Sequence, residues 1–291
     1  MAGRYLIINA DDFGMCRETN AAIVKLLREG RLTSTTLMAP CPEAEEAAQL
    51  AQDNGFSVGM HITLTSDFPT MPWSSTAPAD QVRSLLDSEG HFYHAPQDLY
   101  QHADDGEVEV EIRAQFAFLT QRGVTVDHVD SHVGTVYGLG GRSFLPQVFR
   151  LCAEHRLPFR LPKSENYLKA VFQGAVPESI AKLHRQAVAA AEVIGVPLLT
   201  SMFTSPHRAS ELGGYEPLKE FYLRNIREIG EGITEIFLHP SYQNEAIAAV
   251  FPEWQKRIWE FEFLLDDDLP KVLEEEGIEL VSWSSAPWDQ F

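Results

Sequence analysis

Hydrophobic and polar positions along the chain fall into repeated pairs, a short apolar run followed by a longer amphipathic one. Tyr5, Leu6, Ile7 and Ile8 show no polar alternation, which suits a parallel strand covered on both faces. The run stops at Asp11 and Asp12. Beyond Gly14, the segment Arg17 to Glu29 sets Ala21, Ala22, Val24, Leu26 and Leu27 among polar residues and ends at Gly30, as an amphipathic helix stopped by glycine should. The pairing recurs. Strands are predicted over Thr33 to Ala39, Ser57 to Leu64, Val124 to His132, Pro158 to Leu161, Val196 to Phe203, Thr234 to Pro240 and Ile278 to Trp283. Helices are predicted over Pro42 to Asp53, Glu107 to Gln121, Phe144 to His155, Pro177 to Ile194, Pro217 to Ile229 and Glu253 to Glu276, the last interrupted at Pro270.

About eight strands alternating with helices, without internal repeat or linker, predict an α/β fold. The expected form is a single modified (β/α) TIM-like barrel with about seven to eight parallel strands, residues 1–291 making one domain. Between about residues 65 and 105 the pattern breaks into a stretch carrying Pro69, Pro72, Trp73, Pro78, Phe92, Tyr93 and Pro96, which is too long for a simple connection. It reads as an inserted wall beside a site, or as a loosely ordered insertion whose aromatic residues pin it to the body.

Composition narrows the partners. Lys and Arg total 23 against 42 Asp and Glu, a formal net charge of -19, which argues against nucleic acid or an anionic membrane surface and favours neutral or cationic ligands. Cys16, Cys41 and Cys152 are odd in number and lack metal-type spacing, as expected of reduced thiols in a cytoplasmic protein. The chain enters directly into a strand and no apolar run approaches a membrane span, so no membrane association is expected.

Candidate chemistry sits where the predicted strands end. Two adjacent carboxylates, Asp11 and Asp12, are costly to desolvate together unless a cation compensates them; the plain alternative is a solvated turn with Asp12 capping the next helix. His61 lies near the carboxyl end of its strand, the end at which barrels and open α/β sheets build sites. In VTVDHVDSH, alternate residues share a face, so His128, Asp130 and His132 point one way and Asp127, Val129 and Ser131 the other. Such polarity inside a strand that should be buried is expected at a functional site. Asp11, Asp12, His61, His132 and His239 all fall at or just beyond predicted strand ends, which converge on one mouth in a barrel. One Asp with two His makes a ligand set for a catalytic divalent cation, zinc first, with magnesium or manganese as alternatives. Val133 to Arg142 holds four glycines but lacks the lysine and spacing of a phosphate loop. No Ser-His-Asp or Cys-His signature points to a covalent nucleophile.

Taken in order, INADDFG, LTSTTLMA with CPEAEEAA, GMHITLT, LLDSEGHF, VDHVDSH, PFRLP and EIFLHP resemble the YdjC/ChbG family of carbohydrate deacetylases nearly end to end. Matched position by position, the resemblance implies that Asp12, His61 and His132 bind the metal and that Asp11 is the general base. It also implies His239 as general acid or charge stabiliser, and Arg160 as the arginine that orients the base. The implied reaction removes the acetyl group of an N-acetylated amino sugar or short oligosaccharide by attack of a metal-bound water. Trp73, Phe92, Tyr93, Asp130 and Tyr137 are the candidate substrate contacts, and a homodimer is compatible with the family. The chain departs from the family at Gly134, where a second histidine often follows the DSH histidine. Two alternatives stand beside the deacetylase: another metal-dependent amide or ester hydrolase on the same barrel, and a sugar-binding or regulatory protein that retains the metal site.

Overall fold

The computed structural model describes residues 3–66, 68, 71–249, 251 and 253–291. Its strands are β1 (Arg4–Phe13), β2 (Ser34–Leu37), β3 (Ser57–Ile62), β4 (Thr125–Ser131), β5 (Phe159–Pro162), β6 (Leu198–Leu199), β7 (Ser201–Phe203), β8 (Gly232–Leu238) and β9 (Glu279–Leu280). They form one parallel sheet in the order β6-β5-β4-β3-β2-β1-β8-β7, with β9 added against the start of β1. Helices follow most of the strands, giving the α/β, TIM-like arrangement expected from the alternating pattern.

The unalternated run in β1 is explained by burial on both faces. Leu6, Ile8 and Ala10 belong to the large cluster built with the helices, whereas Ile7 packs on the other face with Leu199, Met202, Ile233, Val281 and Trp283. Gly59 in β3 makes room for this second face: a Cβ there would lie 2.2 Å from Cε1 of His128, whose ring stacks on Trp283 at 4.2 Å and 4°. His128 therefore serves packing and does not reach the site.

Three expectations need correction. The strand predicted over Val196 to Phe203 is two strands. At Thr200 the chain changes partners, its N–H donating to the Ile233 carbonyl while its carbonyl accepts from Ser164 N–H, so β6 pairs with β5 and β7 with β8. The long C-terminal helix breaks at Asp266 and Asp267, not at Pro270, giving helices Trp254–Leu265 and Asp268–Glu276. Asp266 accepts from Asp268 N–H at 2.9 Å, while Pro270 sits in the first turn, where a missing N–H costs no helical bond.

The third correction concerns the insertion at 65–105, of which residues 67, 69 and 70, Pro69 included, lie outside the described residues. It carries a helix at Pro96–His102 and is fastened to the helix Asp105–Gln121, where Glu111 accepts from Thr76 and Ala77 N–H, both at 2.9 Å. Trp73 and Phe92 are buried in the core rather than presented as a wall. Among the described residues no helix is long and apolar enough to cross a membrane.

Candidate active site

Adjacent residues of a strand normally face opposite ways, yet Asp11 and Asp12 both line one cavity of about 540 Å³. The local backbone explains this. Pairing between β1 and β2 slips between Ala10 and Phe13, and Asp12 takes a left-handed conformation with φ of 70°, so the bulge re-aims its side chain toward the cavity. Gly14 follows at φ 98°, where a Cβ would meet the Ala44 backbone at 3.1 Å, and its N–H donates to Asn20 Oδ1 at 2.7 Å.

His61 at the end of β3 and His132 just past β4 complete a buried cluster with Asp12. His61 Nδ1 lies 2.6 Å from Asp130 Oδ1. In the neutral ring that keeps its proton there, Nε2 presents a lone pair toward Asp12 Oδ1 at 3.5 Å and His132 Nδ1 at 3.3 Å. His132 Nδ1 is itself 3.3 Å from Asp12 Oδ1, which has no hydrogen-bond partner among the described residues. A buried, unbonded carboxylate oxygen facing two imidazole nitrogens is a donor set suited to a divalent cation. Arg257 takes the other oxygen, with Nη2 to Asp12 Oδ2 at 2.6 Å. Burial pushes Asp12 up, but Arg257 and the two histidines outweigh it and hold its carboxyl well below the usual carboxylate range. Burial alone would lower His61; the Asp130 and Asp11 carboxylates overcome it and lift His61 to about 10. The pocket therefore holds positive charge strongly, as a proton or as a metal.

A second group of ligand-capable residues, Asp11, His61 and Asp130, already has its cation. Arg160 of β5 donates from Nη1 and Nη2 to the two Asp11 oxygens at 2.8 Å each, and from Nε and Nη2 to Glu235 at 2.8 and 3.1 Å. Its Nη1 also makes an ion pair with Asp130 Oδ2 at 2.6 Å. Burial raises Asp11, but Arg160, His61 and His239 outweigh it and bring its carboxyl down to about 2. Glu235, sharing the same guanidinium, goes the other way: burial dominates and pushes it to about 7.

His239 lies just beyond β8, with Nε2 3.9 Å from Asp11 Oδ2 and Nδ1 3.7 Å from Glu260 Oε2. The His239 backbone N–H donates to Glu260 at 2.7 Å. Burial raises Glu260, yet His239 and Lys256 bring it down to about 2, so it stays anionic.

Of the sequence-level candidates, Asp11, Asp12, His61, His132, Arg160, His239 and Tyr137 line the cavity. Tyr137 donates to the Arg160 carbonyl at 2.5 Å. Asp130 does not face the cavity as a substrate contact; it stands behind His61 and Arg160 and is fully buried. Trp73, Phe92 and Tyr93 are also absent from the lining: Trp73 packs against Phe68 and His132, and Tyr93 stacks on His102 at 5.2 Å. Gly134, at the position of the family's second histidine, has φ 69° and follows Val133 at φ 42°. Left-handed backbone at a β-branched valine is strained, a feature that accumulates at ligand-binding turns.

Arg257, Glu235 and Glu260 were missed from sequence. Glu235 carried a signal, because it alternates with Phe237 and His239 on one face of β8. Arg257 and Glu260 carried none: they are buried polar residues on a helix, WQKRIWEFEFLL, whose other polar residues reach solvent.

The family model for YdjC-like protein matches residues 5–275. A carbohydrate deacetylase of Geobacillus stearothermophilus is 30% identical over 282 residues, covering 96% of this chain and 97% of its own. A chitooligosaccharide deacetylase of Yersinia enterocolitica is 28% identical, covering 97% and 98%. A crystal structure from Enterococcus faecalis V583, of a protein provisionally named for cellobiose-phosphate cleavage, superposes with a TM-score of 0.76 at 25% identity, covering 97% of this chain and 98% of that one. With nearly the whole chain matched and the motif residues gathered at one cavity, the protein belongs to the YdjC-like family.

Proposed function

We propose that the protein is a metal-dependent carbohydrate N-deacetylase, hydrolysing the acetamide of an N-acetylated amino sugar or short oligosaccharide. The observation that carries this reading is the buried Asp12 Oδ1, without a hydrogen-bond partner among the described residues, facing His61 Nε2 and His132 Nδ1 in the cavity lining. The names of the relatives, carbohydrate and chitooligosaccharide deacetylase, support the substrate class.

Asp12, His61 and His132 are the proposed ligands of one divalent cation, zinc first, with magnesium or manganese as alternatives. When bound, such a cation polarises the amide carbonyl and makes a water acidic enough to lose its proton near neutral pH. Asp11 accepts that proton at Oδ2. Its bidentate contact with Arg160 keeps it ionised and aimed, and also makes it a weak base, so transfer depends on the water being acidified. His239 Nε2, within 3.9 Å of the same oxygen and oriented through Nδ1 by Glu260, protonates the leaving amine as the C–N bond breaks. With the water oxygen bonded to the acetyl carbon and the amine protonated as it leaves, acetate and a free amino sugar result. His239 would also help meet the negative charge on the carbonyl oxygen, alongside a bound cation.

The test is acetate release from N-acetylglucosamine and N-acetylated chitooligosaccharides, with and without chelator. Release that chelator abolishes and added metal restores is expected. Asp11→Asn should lose about 10²- to 10⁴-fold in kcat while binding metal as before. Metal binding without release from any acetylated sugar would overturn the reading in favour of a sugar-binding protein, and an Asp11→Asn variant of full activity would remove Asp11 as base.

A further inference from the structure

The cavity is unevenly lined. Segments following β4 and β5 contribute Leu139, Leu168, Val171, Ile180, Leu183 and Ala187, whereas segments following β7 and β8 contribute His207, Arg208, Glu253 and Lys256 with only Pro206 and Phe251 as apolar members among the described residues. The apolar side continues to the mouth: Val133, Leu139 and Val171 are 56%, 39% and 43% exposed, and all three line this cavity. Large apolar side chains gathered on one exposed rim mark a binding surface, since scattered ones are ordinary and clustered ones are not.

A pyranose ring alone matches this wall poorly. Its hydroxyls lose water on entering and need partners, which aliphatic carbons cannot supply. Polar atoms within the wall are few: the Tyr137 and Tyr167 hydroxyls, the first already donating to the Arg160 carbonyl, and the ring of His184. The His184 Nε2 donates to the Pro162 carbonyl at 2.8 Å, which leaves Nδ1 as an acceptor with no partner among the described residues. These few groups serve few hydroxyls; the remaining surface asks for carbon.

We propose that the substrate of this enzyme is an amino-sugar amide bearing an alkyl group, and that the wall after β4 and β5 holds that group. The inference rests on the deacylase reading of the adjoining residues. An alkyl group could be attached as a longer N-acyl chain or as an aglycone, and the same wall would serve either.

Two substrate series separate these sources: alkyl 2-acetamido-2-deoxyglucosides from methyl to hexyl, and N-acyl glucosamines from acetyl to hexanoyl, with carboxylate release as the readout. In one series kcat/KM should rise about fourfold per methylene, equivalent to about 0.8 kcal/mol. The rise identifies the source. Val171→Ser and Leu183→Ala should each reduce the per-methylene factor, and an undiminished factor in both would overturn the placement on this wall. A flat or falling kcat/KM in both series, with acetate still released, would overturn the proposal and leave the deacetylase reading intact. Calorimetric binding of the alkyl glucosaminides, which carry no amide, separates the two readings further. Tightening with chain length in a protein that hydrolyses nothing would support the wall and sink the deacylase reading, whereas no tightening together with a flat N-acyl series would overturn the wall.

Discussion

Replacing Asp130 by asparagine changes the side chain by little more than a proton's charge, yet it should damage the metal site more than removing the side chain outright. Asp130 touches two groups: Oδ1 is 2.6 Å from His61 Nδ1 and Oδ2 is 2.6 Å from Arg160 Nη1. An asparagine has one acceptor and one donor end, so only one contact can keep its carbonyl. Arg160 approaches Asp130 Oδ2 as an ion pair outside hydrogen-bond geometry; a polar contact to a charged group still exceeds one to a neutral imidazole by about 1 to 1.5 kcal/mol. The carbonyl therefore turns to Arg160 and the amide N–H₂ donates to His61 Nδ1. That arrangement moves the imidazole proton to Nε2, pointing it at Asp12 Oδ1 where a ligand lone pair is needed. The preference of about 1 to 1.5 kcal/mol favours the wrong tautomer roughly five- to twelvefold. Asp130→Ala loses the same negative charge but imposes no tautomer, and Thr36 Oγ1, 3.3 Å from His61 Nδ1, remains as an acceptor. Both variants should lose about 10- to 100-fold in metal affinity through the missing carboxylate, with asparagine weaker than alanine by that further five- to twelvefold. Competition against a chromophoric chelator at fixed pH measures both, with circular dichroism to confirm folding. Asparagine binding metal as well as alanine, or better, would refute the assignment of the His61 tautomer to Asp130.

Two further changes test the packing and charge around the site. Glu235, raised to about 7 because burial outweighs Arg160, holds a proton in the folded protein that the unfolded chain releases near pH 4.5. Its contribution is full below that pH and is lost as pH rises through 7, by up to about 3 kcal/mol. Glu235→Gln should therefore flatten the fall in urea stability of the metal-free protein between pH 5 and 8; an unchanged slope would show that Glu235 is not the titrating group. Asp11 and Glu260, both lowered to about 2, lose their contributions only at the acid end, whereas His61, lifted to about 10, adds its own fall above about pH 6.5, so the Glu235 share of the slope is cleanest between about pH 5 and 6.5. Gly59→Ala would set a Cβ 2.2 Å from the His128 ring, which Trp283 backs on its face. Overpacking of about 1 to 3 kcal/mol should lower Tm by several degrees, and a melt within one degree of wild type would mean that His128 moves without cost.

The strand framework was legible because burial on both faces leaves a direct mark, as at Tyr5 to Ile8. His61 and His132 were legible as polar residues at strand ends. What period-2 reasoning could not supply was the joint orientation of Asp11 and Asp12. Strand alternation sends neighbours to opposite faces, and only the slip after Ala10 with left-handed backbone at Asp12 brings both to one cavity. The aromatic residues of the insertion misled for a related reason. Trp73 and Phe92 look the same in sequence whether they face a ligand or the core, and the choice is made by Glu111 fastening the segment at Thr76 and Ala77. Arg257 lies 245 residues from the Asp12 it pairs with, on a helix whose pattern gives no sign of that contact.

The arginines also account for how two adjacent carboxylates can take different parts. Arg160 engages both oxygens of Asp11, whereas Arg257 engages only Oδ2 of Asp12. Among the described residues, Asp12 is therefore left with a buried oxygen that has no hydrogen-bond partner, a condition suited to a metal ligand, while Asp11 has no such oxygen. Were Arg160 devoted to Asp11 alone, the carboxylate would be a still weaker base. It is not: the same guanidinium also faces Asp130 and Glu235, three carboxylates around one positive charge. Each competes for that charge, and the proton that burial holds on Glu235 up to about pH 7 decides how much of it Asp11 receives. Loss of that proton gives Glu235 a larger share of Arg160 and makes Asp11 the better proton acceptor, so under the proposed mechanism the base strengthens on the alkaline side of neutrality.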